Sequence, residues 1–217
     1  MRSPVTATTT LSPLSVALRE GTRDEHETAE RSGFVELLLS GRLDRAAYAD
    51  LAAQQLVIYT ALEASGSRLE DDGHLVFDEL TRVPAIEQDL AHLYGAGWRT
   101  EIRVLPATAA YADRLAETAD SLPRYAAHAY TRYLGDLSGG QIIKRMLQRH
   151  YGFTSEGIAF YDFPQIHKLK PFKDVYRERL DALPLDGAAR AAVVEEARLA
   201  FRLNADVFGE LGATHVR

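Results

Sequence analysis

The sequence predicts a single all-α domain. Three observations carry this. Apolar residues recur at three- and four-residue steps along most of the chain. Alternating strand patterns are nearly absent, and proline or glycine punctuates the periodic segments where helices begin and end. A length of 217 residues with 46% hydrophobic and 26% charged residues fits one helical domain with a sizeable core.

The elements follow in order. Residues 1–12 form a Ser/Thr/Pro-rich stretch without an apolar signal core, expected to be a flexible tail. A first helix is expected from Leu14 to about Arg31. From Asp44 onward Tyr48, Leu51, Gln55, Ile58, Tyr59 and Leu62 make one stripe of a long helix. A shorter helix spans Ala85–Tyr94, opened by Pro84 and closed by Gly95. Pro106 starts the next, Pro123 stands near the start of a long helical segment reaching His150, and Pro171 opens another. The last helix runs from about Asp186 to Leu211, with Val193, Ala197, Phe201 and Asn204 inward. That gives roughly eight helices, with loops near Gly73, Gly95–Arg99 and Gly152–Pro164. The domain is bounded at 13–212, and 213–217 is a C-terminal tail.

Composition excludes several functions. A net charge of −6 argues against nucleic-acid binding, whose affinity comes from neutralising phosphates. With no cysteine there are no disulfides, thiolate metal sites or cysteine nucleophiles, which fits a reducing cytoplasm. No apolar run approaches the roughly 20 residues of a membrane span. The chain has neither a Gly-x-Ser-x-Gly elbow nor a phosphate-binding loop.

Three features call for an explanation. His26 lies on a stripe with Leu18, Thr22, Ala29 and Gly33, small neighbours that leave room for something flat beside the imidazole. It is either an iron ligand or a core histidine. The stretch Tyr133-Leu134-Gly135-Asp136-Leu137-Ser138-Gly139-Gly140-Gln141 sets three glycines inside a helical pattern, at about 1 kcal/mol each relative to alanine. Gly135 and Gly139 share a face. They permit close approach of a ligand, a tight helix crossing or a helix break. Asp136 is placed to hold water beside that face. The third feature is the cluster Lys168, Lys170, Lys173, Arg177 and Arg179. Here Lys173 and Arg177, one turn apart, either converge on an anion or belong to a solvated face with Asp174 and Glu178.

Together the three describe a flat, dianionic, metal-centred ligand, and here the chain resembles the haem oxygenase family from about Leu14 to Leu211. The segment Leu18–Glu30 is similar to that family's proximal helix, and His128–Gln141 to its distal helix. Leu169–Leu180 is similar to the helix that binds the haem propionates. The resemblance implies an α-helical fold that sandwiches haem b, with His26 as axial iron ligand; Glu30, one turn on, is either a partner for its ring or half of a surface ion pair. Arg19, Tyr130, Lys173 and Arg177 contact propionates; Arg19 stands where many members carry lysine. Gly135 and Gly139 cover the open face, and Asp136, supported by Tyr59, Arg132 and Asn204, organises water that delivers protons. It implies oxidative cleavage of haem at the α-meso carbon to biliverdin, ferrous iron and CO. The reaction uses O₂ and electrons from a ferredoxin- or flavoprotein-type reductase. A cytoplasmic monomer without a membrane anchor is expected. A haem carrier that does not degrade its cargo is the alternative, and a haem-free helical enzyme of the thiaminase kind a third reading.

Overall fold

A computed structural model describes residues 12–69 and 75–216, with the side chain of Glu30 left out. Among these residues the regular structure is entirely helical. The helices are α1 (Leu14–Gly21), α2 (Arg23–Glu30), α3 (Gly33–Leu39), α4 (Arg45–Gly66), α5 (Val83–Tyr94), α6 (Trp98–Glu101), α7 (Pro106–Ala116), α8 (Leu122–Ala129), α9 (Gly139–Tyr151), α10 (Leu169–Asp181) and α11 (Gly187–His215).

Local chemistry sets many of the ends. Asp44 accepts a bond from Ala47 N at 2.9 Å and Asp186 one from Ala189 N at 2.8 Å, so both long helices start on an aspartate cap. Proline occupies the first turn of α5, α7 and α8, where its missing N–H costs no helical bond. Gly95 at φ 86° and Gly152 at φ 70° close α5 and α9 in a backbone region that side chains avoid.

The two long helices organise the rest. Helix α4 packs against α5, α7, α8 and α11, and α11 also meets α1, α2, α3 and α7. The stripe expected on α4 faces inward: Tyr48, Ile58, Tyr59 and Leu62 are fully buried. They join Tyr111, Tyr125 and Phe160 in one core. Burying each such side chain contributes about 1.5–3 kcal/mol.

Several boundaries differ from expectation. The first helix is two. At Thr22 the backbone moves to φ −112°, ψ 12°, and the Thr22 hydroxyl bonds Leu18 O at 2.8 Å, competing with the helical ladder and bending the chain. The expected unbroken helix to His150 is interrupted twice, by a π-helical turn at Tyr130–Leu134 and by a turn at Leu137–Ser138 that precedes α9. A short helix, α6, overlaps the end of the expected Gly95–Arg99 loop, and the described residues hold eleven α-helices against the roughly eight anticipated. Helix α5 begins at Val83 and α10 at Leu169, each two residues before the expected start. Helix α11 continues to His215, so residues 213–215 are helix rather than tail; His215 Nε2 lies 2.7 Å from Asp50 Oδ2 on α4. The Gly73 loop, residues 1–11 of the expected tail and the Glu30 side chain lie outside the described residues.

Candidate active site

A cavity of about 590 Å³ lies between the α1–α2 segment and the segment from Tyr130 to Gly140. Arg19, Thr22, His26 and Ala29 form one wall; Tyr130, Gly135, Asp136 and Gly139 form the opposite one. Leu51, Gln55 and Ile58 of α4 line the wall between them, with Phe201 and Asn204 of α11.

On the first wall the bend at Thr22 separates α1, whose Leu14 and Leu18 are buried, from α2, which turns His26 to the cavity. Thr22 and Ala29 are buried. Phe201 meets the imidazole edge to face, ring centres 5.6 Å apart at 74°. His26 is therefore a cavity residue rather than a core histidine.

The opposite wall is backbone. A Cβ built on Gly135 or on Gly139 meets no heavy atom within 4 Å, so both face open space in the cavity. Gly140 differs: its Cβ would lie 3.3 Å from Tyr161 Cδ1, so this glycine leaves room for the Tyr161 ring. Gly135 and Gly139, expected to share a face, thus both stand on the open wall.

Behind the bare wall runs a hydrogen-bonded chain. Tyr59 donates its hydroxyl hydrogen to Asp136 Oδ2. Arg132 Nε donates to the Tyr59 oxygen at 3.3 Å, and its Nη1 donates to Asn204 Oδ1 at 2.7 Å. The guanidinium also lies 4.8 Å above the Tyr59 ring. Burial pushes the Asp136 carboxyl up to about 6, against the opposing pull of Arg132, the Tyr59 hydrogen bond and Arg82. Burial likewise raises the Tyr59 phenol, opposed in part by Arg132. Desolvation works against the charge of Arg132, but Tyr59 and Asp136 outweigh it and keep the group a cation.

Cations stand at the mouth. Arg19 and Arg177 line the cavity, and both oppose the burial that raises the Tyr130 phenol, so the three are electrostatic neighbours. Lys173 stands one bond behind the wall, its Nζ donating to Ser138 Oγ at 3.0 Å. Arg177 Nη1 pairs with Asp174 Oδ1 at 2.9 Å. Of the two arrangements their spacing allowed, Arg177 shows the pairing with Asp174 while also lining the cavity, and Lys173, outside the lining, is held by Ser138.

Sequence reasoning passed over two supports. Asp89 is buried and accepts Ala159 N at 2.7 Å and Phe160 N at 2.8 Å. It fixes the 3-10 turn Ala159–Tyr161 that carries Tyr161 to the cavity, and burial raises its carboxyl to about 6. Buried His128 lies 2.9 Å from Glu196 Oε1, and Arg114 pairs with Glu196 at 2.5 Å, tying α8 and α7 to α11. The partners are 68 and 82 residues apart, so no local pattern announced them.

The arrangement fits haem. One imidazole faces a wall on which added Cβ atoms at Gly135 and Gly139 would meet nothing, Leu51, Ile58 and Phe201 give the space between an apolar lining, and the Arg19 and Arg177 guanidiniums could pair with carboxylates.

Comparison with known proteins agrees. A family profile described as heme oxygenase matches residues 12–210. Heme oxygenase 1 of Synechocystis is 41% identical over 202 residues, covering 91% of this chain and 84% of the relative. Human heme oxygenase 1 is 41% identical over 205 residues, covering 91% and 71%. Among solved structures, Synechocystis heme oxygenase-1 in complex with heme superposes with a TM-score of 0.89 at 40% identity, covering 94% of each chain. The heme oxygenase of Leptospira interrogans reaches 0.86 at 35%, covering 92% of this chain and all of that one. The chain belongs to the haem oxygenase family.

Proposed function

We infer that this chain is a haem oxygenase, taking haem as its substrate and converting it to biliverdin with release of iron and carbon monoxide. When bound, haem supplies both the iron at which O₂ is reduced and the ring that is opened. The observation that carries the reading is the pairing of His26 with a glycine wall that has the Asp136 chain behind it.

The residues have distinct tasks. His26 would hold the iron. Gly135 and Gly139 keep the opposite wall free of side chains at their positions, leaving room for the haem ring and a small ligand there. Asp136, set by Tyr59, Arg132 and Asn204, holds the proton store. A carboxyl near 6 accepts and returns a proton close to neutral pH and passes it through water. Arg19, Tyr130, Lys173 and Arg177 bind the propionates and fix the rotation of the ring, with attack at the α-meso carbon the proposed outcome. A haem carrier needs His26 and the cations. It has no use for a buried carboxylate network behind a bare helix, which favours the enzyme.

Among the described residues no helix is long and apolar enough to cross a membrane. We place the enzyme in the cytoplasm, in accord with the absence of cysteine, and propose the monomer as its working unit. The electron donor is proposed to be a ferredoxin- or flavoprotein-type reductase.

The test is turnover of stoichiometric hemin under O₂ with a reductant. The expected result is loss of the Soret band, a bilin product and its isomer identified by chromatography. A Soret band that persists unchanged refutes the reading.

A further inference from the structure

Helix α11 touches both sides of the site through one stripe. Val194, Arg198, Phe201 and Asn204 follow one another at steps of four, three and three, so they share a face. Each meets a different part of the machinery.

Val194 marks the closest approach to the first wall. A Cβ on Gly21 would stand 2.5 Å from Val194 Cγ1, so α11 meets the end of α1 at a distance only glycine allows. Arg198 comes next. Its Nε donates to Gly21 O at 2.6 Å, in the last turn of α1, where carbonyls lose their helical partners at the Thr22 bend. The same guanidinium pairs with Glu195 at 2.8 Å, which holds it along its own helix. With Arg202 it also stands 3.7 Å from Glu25 Oε1, the side chain directly before His26. Phe201 lies edge to face with the His26 ring. Asn204, one turn further, accepts from Arg132 and so reaches the chain ending at Asp136.

We propose that α11 is a strut that fixes the height and orientation of His26 relative to the Asp136 chain, with Arg198 as its positioning residue. A bend such as that at Thr22 is the natural hinge of the ligand helix. Arg198 closes that hinge through the Gly21 carbonyl, and Phe201 limits rotation of the imidazole about its own axis. Since the same helix holds Asn204, the ligand on one side and the proton store on the other are set by a single rigid body.

The proposal rests on His26 as axial ligand, and its test separates the two. Full-length wild type, Arg198→Met, Arg198→Lys and Phe201→Leu are loaded with hemin. The iron–histidine stretching band of the ferrous form and the rate of hemin release are then measured, with circular dichroism of the haem-free proteins to verify folding. Arg198→Met keeps the aliphatic stem and loses the bond to Gly21. It is expected to broaden the band, move it to lower frequency and speed hemin release roughly fivefold, the effect of one hydrogen bond. Arg198→Lys, which still donates one bond, restores most of both signals. Phe201→Leu broadens the band even if Arg198→Met fails to fold. A band and a release rate in Arg198→Met and Phe201→Leu equal to wild type overturn the strut alone. A wild-type complex without the iron–histidine band overturns the assignment of His26 and the strut together.

Discussion

Removing the charge of Asp136 should stabilise the haem-free protein. Its carboxyl stands at about 6, against 3.8 for an ordinary aspartate, because burial penalises the charged form more than Arg132, Tyr59 and Arg82 repay it. At 1.36 kcal/mol per pH unit this corresponds to roughly 3 kcal/mol lost by the folded state once the group is ionised. A raised carboxyl means that the folded chain holds the proton more tightly than the unfolded one. Stability from this group is therefore complete below 3.8, declines as pH rises towards 6 and stays low above it. Asp136→Asn keeps an acceptor for the Tyr59 hydroxyl and loses both the desolvation penalty and the attraction to Arg132. The expected gain at pH 7.5 is about 1–3 kcal/mol, or about 2–10 °C in Tm for a domain of this size. It should shrink to about a third at pH 4.5, where little of the carboxyl is ionised. Urea denaturation of both haem-free proteins at the two pH values measures it, with bilin yield on hemin falling in the variant. An Asp136→Asn protein less stable than wild type at pH 7.5, or equally stabilised at both pH values, refutes the reasoning.

Two further outcomes follow from the same physics. Burial pushes the Glu196 carboxyl up, but the bonds from His128 and Arg114 prevail and hold it down at about 2. Its contribution is thus present above about 4.5 and lost as pH falls towards 2. Glu196→Gln should cost about 2–3 kcal/mol at pH 7, read from the urea midpoint, and converge with wild type in acid. Gly135 has helical angles, φ −61° and ψ −50°, and a Cβ there meets nothing. Gly135→Ala should raise haem-free stability by about 0.5–1 kcal/mol while its methyl group intrudes on the substrate and lowers bilin yield. A lower Tm, or an unchanged yield, contradicts the account of the glycine wall.

The chemistry of the site was legible where residues break a local rule. Glycines in a helical pattern and a histidine among small neighbours are visible in the sequence because their cost is local, and both lie on the cavity. The helices were legible for the same reason, since Asp44, Asp186, Pro106 and Gly95 act on the turn beside them. Asp89, Glu196 and Arg198 were not, because each is defined by a partner 68 to 177 residues away. The bend at Thr22 was hidden too. A threonine hydroxyl bonding back one turn leaves the apolar stripe of Leu18, Thr22 and Ala29 unchanged, so periodicity reads straight through it.

The π-helical turn at Tyr130–Leu134 has a consequence for how this site tolerates insertions and deletions. In an α-helix residues five apart point in different directions, whereas a π turn brings them nearly into line. Tyr130 and Gly135 are five apart and both face the cavity, as are Thr131 and Asp136. The mouth and the bare wall are therefore in phase only because the helix carries one surplus residue there. Deleting a single residue from 130–134 would regularise the helix and turn everything after it by about 100°, carrying Gly135, Asp136 and Gly139 off the cavity while each remains in the sequence. The reading frame of this helix is itself a determinant of the site, alongside the residues it contains.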